Sequence, residues 1–275
     1  PDARLGHAFL QRTREALMPS ASNVQPARPC AVIHAWYPEV LAELLEKLKE
    51  SGLRWRLVLT TTPDRASQVT QILRASGLSG EIHEFPNRGR DILPFLHMAE
   101  QLLQQGEDIV LKLHTKRSTH REDGEAWRNE LVSRLLHPDR AQHIFNAFVE
   151  ERRLGLVPPE GHVQRLDYFW GANERNVRQL LTRLGLPQAD TRTDTFIAGS
   201  MFWVRLEALR PMLDAHFQPS LFDIGAGQVD GTLAHAVERT FSLTARHAGF
   251  MERDAASLLG ILHEGDETYA YARRS

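Results

Sequence analysis

Short apolar runs alternate with longer amphipathic stretches along the first half of this chain. The apolar runs predict strands at 30–35, 55–60, 81–85 and 108–113. The amphipathic stretches predict helices at 40–51, 67–76 and 92–105. Successive strand-then-helix units predict a mainly parallel sheet with right-handed crossovers, flanked by helices, which is a Rossmann-like α/β fold.

The second half of the chain predicts a more mixed set of elements. Its amphipathic stretches predict helices at 127–136, 141–150, 175–184, 206–216 and 231–240. A short strand is predicted at 154–158, and a long apolar run predicts a single strand at 195–204.

No clean linker separates the two halves, so we expect a single domain over residues 30–250. Its first half would cover 30–125, and a second half that completes the cleft would cover 126–250. An N-terminal helix and linker over 1–29 would precede it, and a C-terminal extension over 251–275 would follow.

Composition limits the classes of function. The chain has 275 residues, 42% hydrophobic and 25% charged, as is ordinary for a globular protein, and its net charge of −2 argues against a nucleic-acid partner. Cys30 is the only cysteine, which excludes an internal disulfide and fits a reducing compartment. No apolar run approaches the ~18 residues of a membrane span and no secretory signal is visible, so we expect a cytoplasmic location. The start at Pro1, without Met, suggests an excised domain of a longer protein.

The loop after the third predicted strand concentrates charged and small residues. It contains Asn87, Arg88, Gly89, Arg90 and Asp91. Two arginines are hard to explain as structure alone, and they indicate either an anionic ligand or internal carboxylate partners. Asp91 stands where the next helix begins, so it is either a ligand contact or an N-cap.

A second cationic loop follows the next predicted strand. His114, Thr115 and Lys116 come directly after the apolar run that holds Lys112. Because parallel strands end at one edge of a sheet, the two loops suggest one shared anion, such as a diphosphate. A merely solvated loop is the alternative.

Three further positions are candidates for chemistry. Ser200 and Trp203 lie in the long apolar run, where a small residue indicates close packing and an aromatic one either a sugar-stacking surface or core. Asp230 precedes a predicted helix and is either a general base or an N-cap. No P-loop, Gly-x-Ser-x-Gly or His-Glu-x-x-His motif occurs.

Taken in order, five short motifs resemble the rhamnan synthesis protein F family of bacterial polysaccharide enzymes. The resemblance spans roughly residues 30–249. The motifs are His34-Ala35-Trp36-Tyr37-Pro38, Pro86-Asn87-Arg88-Gly89-Arg90-Asp91-Ile92, Lys112-Leu113-His114-Thr115-Lys116, Ala198-Gly199-Ser200-Met201-Phe202-Trp203 and Asp230-Gly231-Thr232-Leu233-Ala234-His235.

The resemblance implies a glycosyltransferase with a type A glycosyltransferase-like fold. It would move rhamnose or another bacterial sugar from a nucleotide-diphosphate donor to a cell-surface polysaccharide such as O-antigen, with 30–125 as its nucleotide-sugar half and 126–250 as its acceptor half. We expect inversion, because one base and no evident nucleophile suit a single displacement. The acceptor would be lipid-linked or an oligosaccharide. Other glycosyltransferase modules of the same polypeptide or pathway would be partners, and a peripheral position at the inner face of the plasma membrane is compatible with this role.

The same resemblance distributes roles among the candidate residues. Asp230 would be the catalytic base, and Trp203, Trp170 and Ser200 would bind the acceptor. The donor would be bound by His34, Asn87, Arg88, Gly89, Arg90, Asp91, His114 and Lys116. No cofactor is expected, because the metal-binding Asp-x-Asp of that fold is absent, although Mg²⁺ or Mn²⁺ stays open. The alternative function is a non-catalytic glycan-binding or scaffold module of a larger synthase.

Overall fold

A computed structural model describes residues 28–115, 124–225 and 230–261. Its centre is a seven-stranded sheet. The sheet strands are β1 Cys30–His34, β2 Arg56–Thr61, β3 Glu81–Glu84, β4 Ile109–His114, β5 Leu154–Val157, β8 Phe202–Arg205 and β9 Met251–Glu252. Their order across the sheet is β3-β2-β1-β4-β8-β5-β9. Strands β1 to β4 run parallel to one another, β5 runs parallel to β9, and β8 is antiparallel to both β4 and β5. A separate antiparallel pair consists of β6 Val163–Arg165 and β7 Thr195–Ile197.

Helices cover both faces of the sheet. They are α1 Pro38–Glu50, α2 Ala66–Ser76, α3 Ile92–Gln104, α4 Gly124–Leu136, α5 Pro138–Glu150, α6 Leu166–Phe169, α7 Glu174–Arg183, α8 Arg210–Leu213, α9 Leu233–Glu238, α10 Phe241–His247 and α11 Ala255–Leu259. Side chains alternate along a strand, so β1 sends Ala31 and Ile33 into one core with α1, α2, α4 and α5. Its Cys30 and Val32 enter a second core with α3, α7, α9 and α10. The predicted α/β class, with a mainly parallel sheet, flanking helices and a mixed second half, is confirmed.

Two elements predicted as continuous are broken. The run 195–204 forms β7 and β8 with a turn between them, because Gly199 and Ser200 have φ of 86° and 53° and cannot continue a strand. The stretch 206–216 is a short 3₁₀ turn, Leu206–Leu209, followed by α8, since Pro211 stands in the first turn of the α-helical part and suits a helix start.

The C-terminal part of the sheet differs from the expected division at residue 250. Met251 and Glu252 form β9, which pairs with β5 at the edge of the main sheet. Ala255, in α11, is fully buried in the core shared with α1. These residues therefore belong to the domain rather than to a separate extension.

Candidate functional site

The carboxyl ends of β1 and β4 form the topological switch point of the sheet. Strands β2 and β3 lie on one side of β1, whereas the chain returns through α3 to place β4 on its other side. Ligands of open α/β sheets bind in the crevice outside such a point. His34 and His114 are register partners there, and both side chains are buried.

His34 is a neutral group at this edge. Its Nδ1 lies 3.0 Å from Oγ1 of Thr60, the residue opposite it on β2. Burial, only partly opposed by the charge of Asp91, lowers the pKa of His34 to about 4. The imidazole is therefore uncharged near neutral pH and supplies a dipole rather than a cation.

A buried ion pair lies beneath the crevice. Nζ of Lys112 is 2.6 Å from Oδ2 of Asp91 and also donates to Ser200, 2.7 Å to its carbonyl oxygen and 3.0 Å to Oγ. Burial raises the pKa of Asp91, but the charges of Lys112 and His114 outweigh it and hold the pKa well below its usual range. Asp91 occupies the N-cap position of α3, yet its side chain makes no capping hydrogen bond. Pairing with Lys112 thus replaces the capping role that the sequence suggested.

Arg90 reaches across the crevice from the β3–α3 loop. Its backbone is left-handed, with φ of 57°, and its Nη1 is 2.6 Å from Nε2 of His235 on α9. A guanidinium only donates, so Nε2 must accept and the ring is neutral. Nδ1 of the same ring lies 2.8 Å from Oγ1 and 3.4 Å from the backbone nitrogen of Thr232. Within the described residues, the guanidinium of Arg90 forms no ion pair with a carboxylate. A small cavity beside it is lined also by His114, Ser200 and Glu238.

The first part of this loop serves a structural purpose. Asn87 donates through Nδ2 to the carbonyl of Gly225 at 3.1 Å, and Arg88 donates through Nη1 to that of Phe222 at 2.7 Å. A Cβ on Gly89 would lie 2.7 Å from Cδ1 of Phe222, and φ there is 66°, so a larger residue does not fit. These three predicted donor-binding residues hold the segment 222–225 against α3. Of the loop residues 87–91, Arg90 and Asp91 are the two that border the cavity.

The second cationic loop is described only in part. Nε2 of His114 lies 2.8 Å from the carbonyl oxygen of Gly199, so His114 donates to the turn before β8. Thr115 accepts at 2.8 Å from the backbone N–H of Tyr37, which ties β4 to the start of α1. The prediction for Lys116 falls outside the described residues.

Asp230 is held by a buried asparagine. Asn173, fully buried, donates to its Oδ1, the N–H of Ala172 donates to Oδ2 at 3.2 Å, and Arg239 lies 3.5 Å from Oδ1. Burial raises the pKa of Asp230, but the hydrogen bond from Asn173 and the charge of Arg239 leave the pKa lowered overall. Arg239 also donates to the carbonyl oxygen of His235 at 3.0 Å, which links Asp230 to the Arg90 side of the crevice. Thr232, and not Asp230, is the N-cap of α9.

The two tryptophans predicted to contact an acceptor are core residues. Trp203 has no exposed surface, donates to the carbonyl of Leu135 at 3.1 Å, and packs against Trp55. Trp170 is 9% exposed and belongs to the core around α3. Neither side chain lines an open cleft, so both predictions are corrected. Ser200 does border the crevice.

Sequence reasoning gave no role in this site to Lys112, His235, Asn173 or Arg239, although Lys112 and His235 lie within the motifs that carry the resemblance. One signal was visible, since a lysine inside an apolar strand predicts a buried ion pair. Asn173 and His235 reach the site through contacts with segments 57 and 145 residues away, for which the sequence carries no pattern. Arg239 contacts Asp230 and His235, nearby on the same segment.

The described residues contain neither a group of metal ligands nor a helix suited to span a membrane. In the ranges 28–115, 124–225 and 230–261, no three His, Cys, Asp or Glu side chains are grouped so that they could hold a metal ion. No helix within those ranges has the length and apolarity that crossing a membrane requires.

Comparison with known proteins gives a family and longer relatives. Two proteins of Xanthomonas campestris pv. campestris, both called uncharacterized protein WxcX, are 45% identical to this chain over 279 residues. The match covers 100% of this chain but 40% of each relative, so the chain spans less than half of their length. A solved 4-diphosphocytidyl-2C-methyl-D-erythritol synthase from Anaerococcus prevotii matches at 12% identity and a TM-score of 0.41, over 82% of this chain and 86% of that one. That likeness is too low to carry an argument.

The family assignment rests on a match to a family model. The family described as rhamnan synthesis protein F matches residues 8–250. Because this match covers most of the chain, the protein belongs to the rhamnan synthesis protein F family.

Proposed function

We propose that this chain is a glycosyltransferase domain that takes its sugar from a nucleotide-diphosphate donor. Family membership connects it with polysaccharide synthesis. The observation that carries the proposal is Arg90, a cation at the switch point whose partner is a neutral imidazole 2.6 Å away. A guanidinium binds a phosphate group far more strongly than it binds a neutral imidazole nitrogen, because it forms two charge-assisted hydrogen bonds with the phosphate.

The donor diphosphate would lie between the β3–α3 loop and the end of β4. Arg90 would bind it directly, and His114 would flank it from β4. Lys112 takes no part in binding, because Asp91 already neutralises it and only 1% of its side chain is exposed. As the anomeric carbon–oxygen bond to the diphosphate breaks, charge develops on the leaving oxygen, where Arg90 would stabilise it.

Asp230 is the proposed base for the acceptor hydroxyl. Its lowered pKa keeps it ionised near neutral pH, and 34% of its side chain is exposed, so an acceptor can reach it. The carboxylate would take the hydroxyl proton while the acceptor oxygen attacks the anomeric carbon. One base without a partnered nucleophile favours single displacement with inversion.

A binding experiment tests the donor site. Calorimetry should detect pyrophosphate and at least one nucleoside diphosphate, and Arg90→Ala should weaken both by about tenfold or more, because a charge-assisted contact is lost. Arg178→Ala is the matched control, since Arg178 pairs with Glu174 on the exposed side of α7, away from the crevice. Absence of any nucleotide or pyrophosphate binding by the folded wild type would overturn the donor site.

A thermal-shift screen identifies the donor and its metal need. Nucleotide sugars are tested with Mn²⁺, with Mg²⁺ and with a chelator. We expect one sugar class to stabilise the protein by mass action. Stabilisation by oligosaccharide alone, with none by any nucleotide sugar, would instead support the non-catalytic glycan-binding function.

A further inference from the structure

Lys112 is buried where a lysine is costly. It lies in the middle of β4, its side chain is 1% exposed, and its Nζ sits 5.4 Å and 5.8 Å from the ring centres of Phe95 and Phe202. An ammonium in such surroundings loses hydration that only good hydrogen bonds can replace. Within the described part of the chain, its hydrogen-bond partners belong to Asp91 and Ser200.

Those two partners come from separate segments that meet at the crevice. Asp91 follows Arg90, whose φ is 57°, and Ser200 itself has φ of 53°. Left-handed backbone is unfavourable for residues other than glycine, so the surroundings must hold both residues in place. The carboxylate on one segment and the carbonyl and hydroxyl on the other all accept from the same ammonium.

A second side chain of β4 supports the same turn. His114 lies two positions after Lys112, on the same face of the strand, and donates to the carbonyl of Gly199 at 2.8 Å. Consecutive inward residues of one rigid strand therefore fix Gly199 and Ser200. Lys112 extends this support to the Arg90 loop through its ion pair with Asp91.

We propose that Lys112 is the positioning residue of the site, which locks the Asp91 and Ser200 segments together and so directs Arg90 into the crevice. Lys112 acts through Arg90 and touches no substrate. The inference rests on the proposed function in one respect, namely that Arg90 binds the donor diphosphate. A purely structural Lys112–Asp91 pair would stabilise the fold without affecting what Arg90 contributes to binding.

The test is a double-mutant cycle read on pyrophosphate affinity. Lys112→Met alone leaves Asp91 buried without its partner and is expected to fold poorly. The variant D91N/K112M removes both charges at similar volume, so it serves as the background in which folding is retained. Arg90→Ala is then measured in the wild type and in D91N/K112M. Lys47→Met, at an exposed lysine paired with Glu50, controls for loss of a lysine as such.

The expected result is strong coupling. Arg90→Ala should weaken pyrophosphate binding about tenfold or more in the wild type but less than about threefold in D91N/K112M, because Arg90 is no longer directed into the site. Lys47→Met should bind as the wild type does. Equal effects of Arg90→Ala in both backgrounds would overturn the positioning role while leaving the donor site intact. Failure of the wild type to bind pyrophosphate would overturn both.

Discussion

The hydrogen-bond and ion-pair partners of each residue in this site decide whether its side chain is available to a ligand. In sequence, Asn87, Arg88 and Asp91 all lie in one loop proposed to contact a ligand, yet each has an internal hydrogen-bond partner. Arg90 differs, because its partner is a neutral ring. Asp230 differs as well, since its hydrogen-bond donors leave part of the carboxylate exposed. Residue type alone does not distinguish the side chains that are available to a ligand from those that already have an internal partner.

At the residue scale, Asp230→Asn tests the base. The amide cannot take a proton, so we expect kcat for sugar transfer to fall about 10²- to 10⁴-fold, with pyrophosphate affinity close to that of the wild type. Steady-state kinetics and calorimetry measure the two quantities, and circular dichroism checks folding. Transfer at a near-normal rate by the folded variant would remove Asp230 from the role of base.

Asn173→Ala is the companion to that variant. It removes the buried donor to Asp230 but keeps the carboxylate. Without this hydrogen bond the pKa of Asp230 should rise, and the acid limb of the rate profile should move to higher pH. An unchanged limb would mean that another group titrates there.

At the scale of elements, the turn between β7 and β8 shapes the crevice. It turns the chain so that Ser200 meets Lys112 and the carbonyl of Gly199 meets His114. Gly199 has φ of 86°, and a Cβ there would lie 2.9 Å from Cδ1 of Leu131 and 3.0 Å from Cζ2 of Trp127. Glycine is required both for the backbone and for the space.

Gly199→Ala should therefore destabilise more than an alanine at an unobstructed glycine. Gly185 is the control, with φ of 66° and no atom within 4 Å of an added Cβ. We expect Gly185→Ala to lower the free energy of unfolding by about 1 kcal/mol and Gly199→Ala by about 2–4 kcal/mol, because overpacking adds to the backbone cost. Urea titration measures both, and equal costs would show that Leu131 and Trp127 yield freely.

At the scale of the whole molecule, buried titratable groups make stability depend on pH in opposite directions. The folded-state pKa of His34 is about 4, below its ordinary value of 6.5, so the unfolded chain binds the extra proton between these values. Stability from this group is complete above pH 6.5 and is lost as pH falls toward 4. Burial raises the pKa of Glu252 on β9 above 4.5, which favours the protonated form and weakens the fold as pH rises.

The variant His34→Gln isolates the loss of stability that is expected as pH falls. The wild type should lose about 3 kcal/mol of unfolding free energy between pH 6.5 and 4 through this group, and the variant should lack that loss. Chemical denaturation across this range measures the difference. Parallel pH curves for the two proteins would contradict a neutral His34.

The variant Glu252→Gln tests the loss of stability that is expected as pH rises. An amide stays neutral, so the variant should gain stability relative to the wild type as pH rises from 5 to 8. Thermal melting at matched ionic strength measures this, with Glu174→Gln, on the exposed side of α7, as the control. A constant difference across that range would show that Glu252 does not change charge in it.

The alternation of apolar and polar residues was enough to predict the parallel half of the sheet. Strands β1 to β4 and helices α1 to α3 lie within two residues of their predicted bounds, because burial on one or both faces imposes a local period. The same reasoning failed at 198–201, where an apolar run contains a turn. A positive φ has no effect on hydrophobic periodicity. Ser200 in this turn and Arg90 in the β3–α3 loop both have a positive φ, and neither residue type predicts it.

By itself, then, the sequence determined the α/β class and the family resemblance, and it predicted a candidate site in the loops after the third and fourth strands. Tertiary structure alone decided which loop residues face the crevice, since Arg88 finds its partner 134 residues away and Arg90 finds His235 145 residues away. It also decided that Trp203 is core and that Lys112 is neutralised. The physical reason is that periodicity records which side of an element is buried, whereas the fate of a charge depends on partners that only folding brings near.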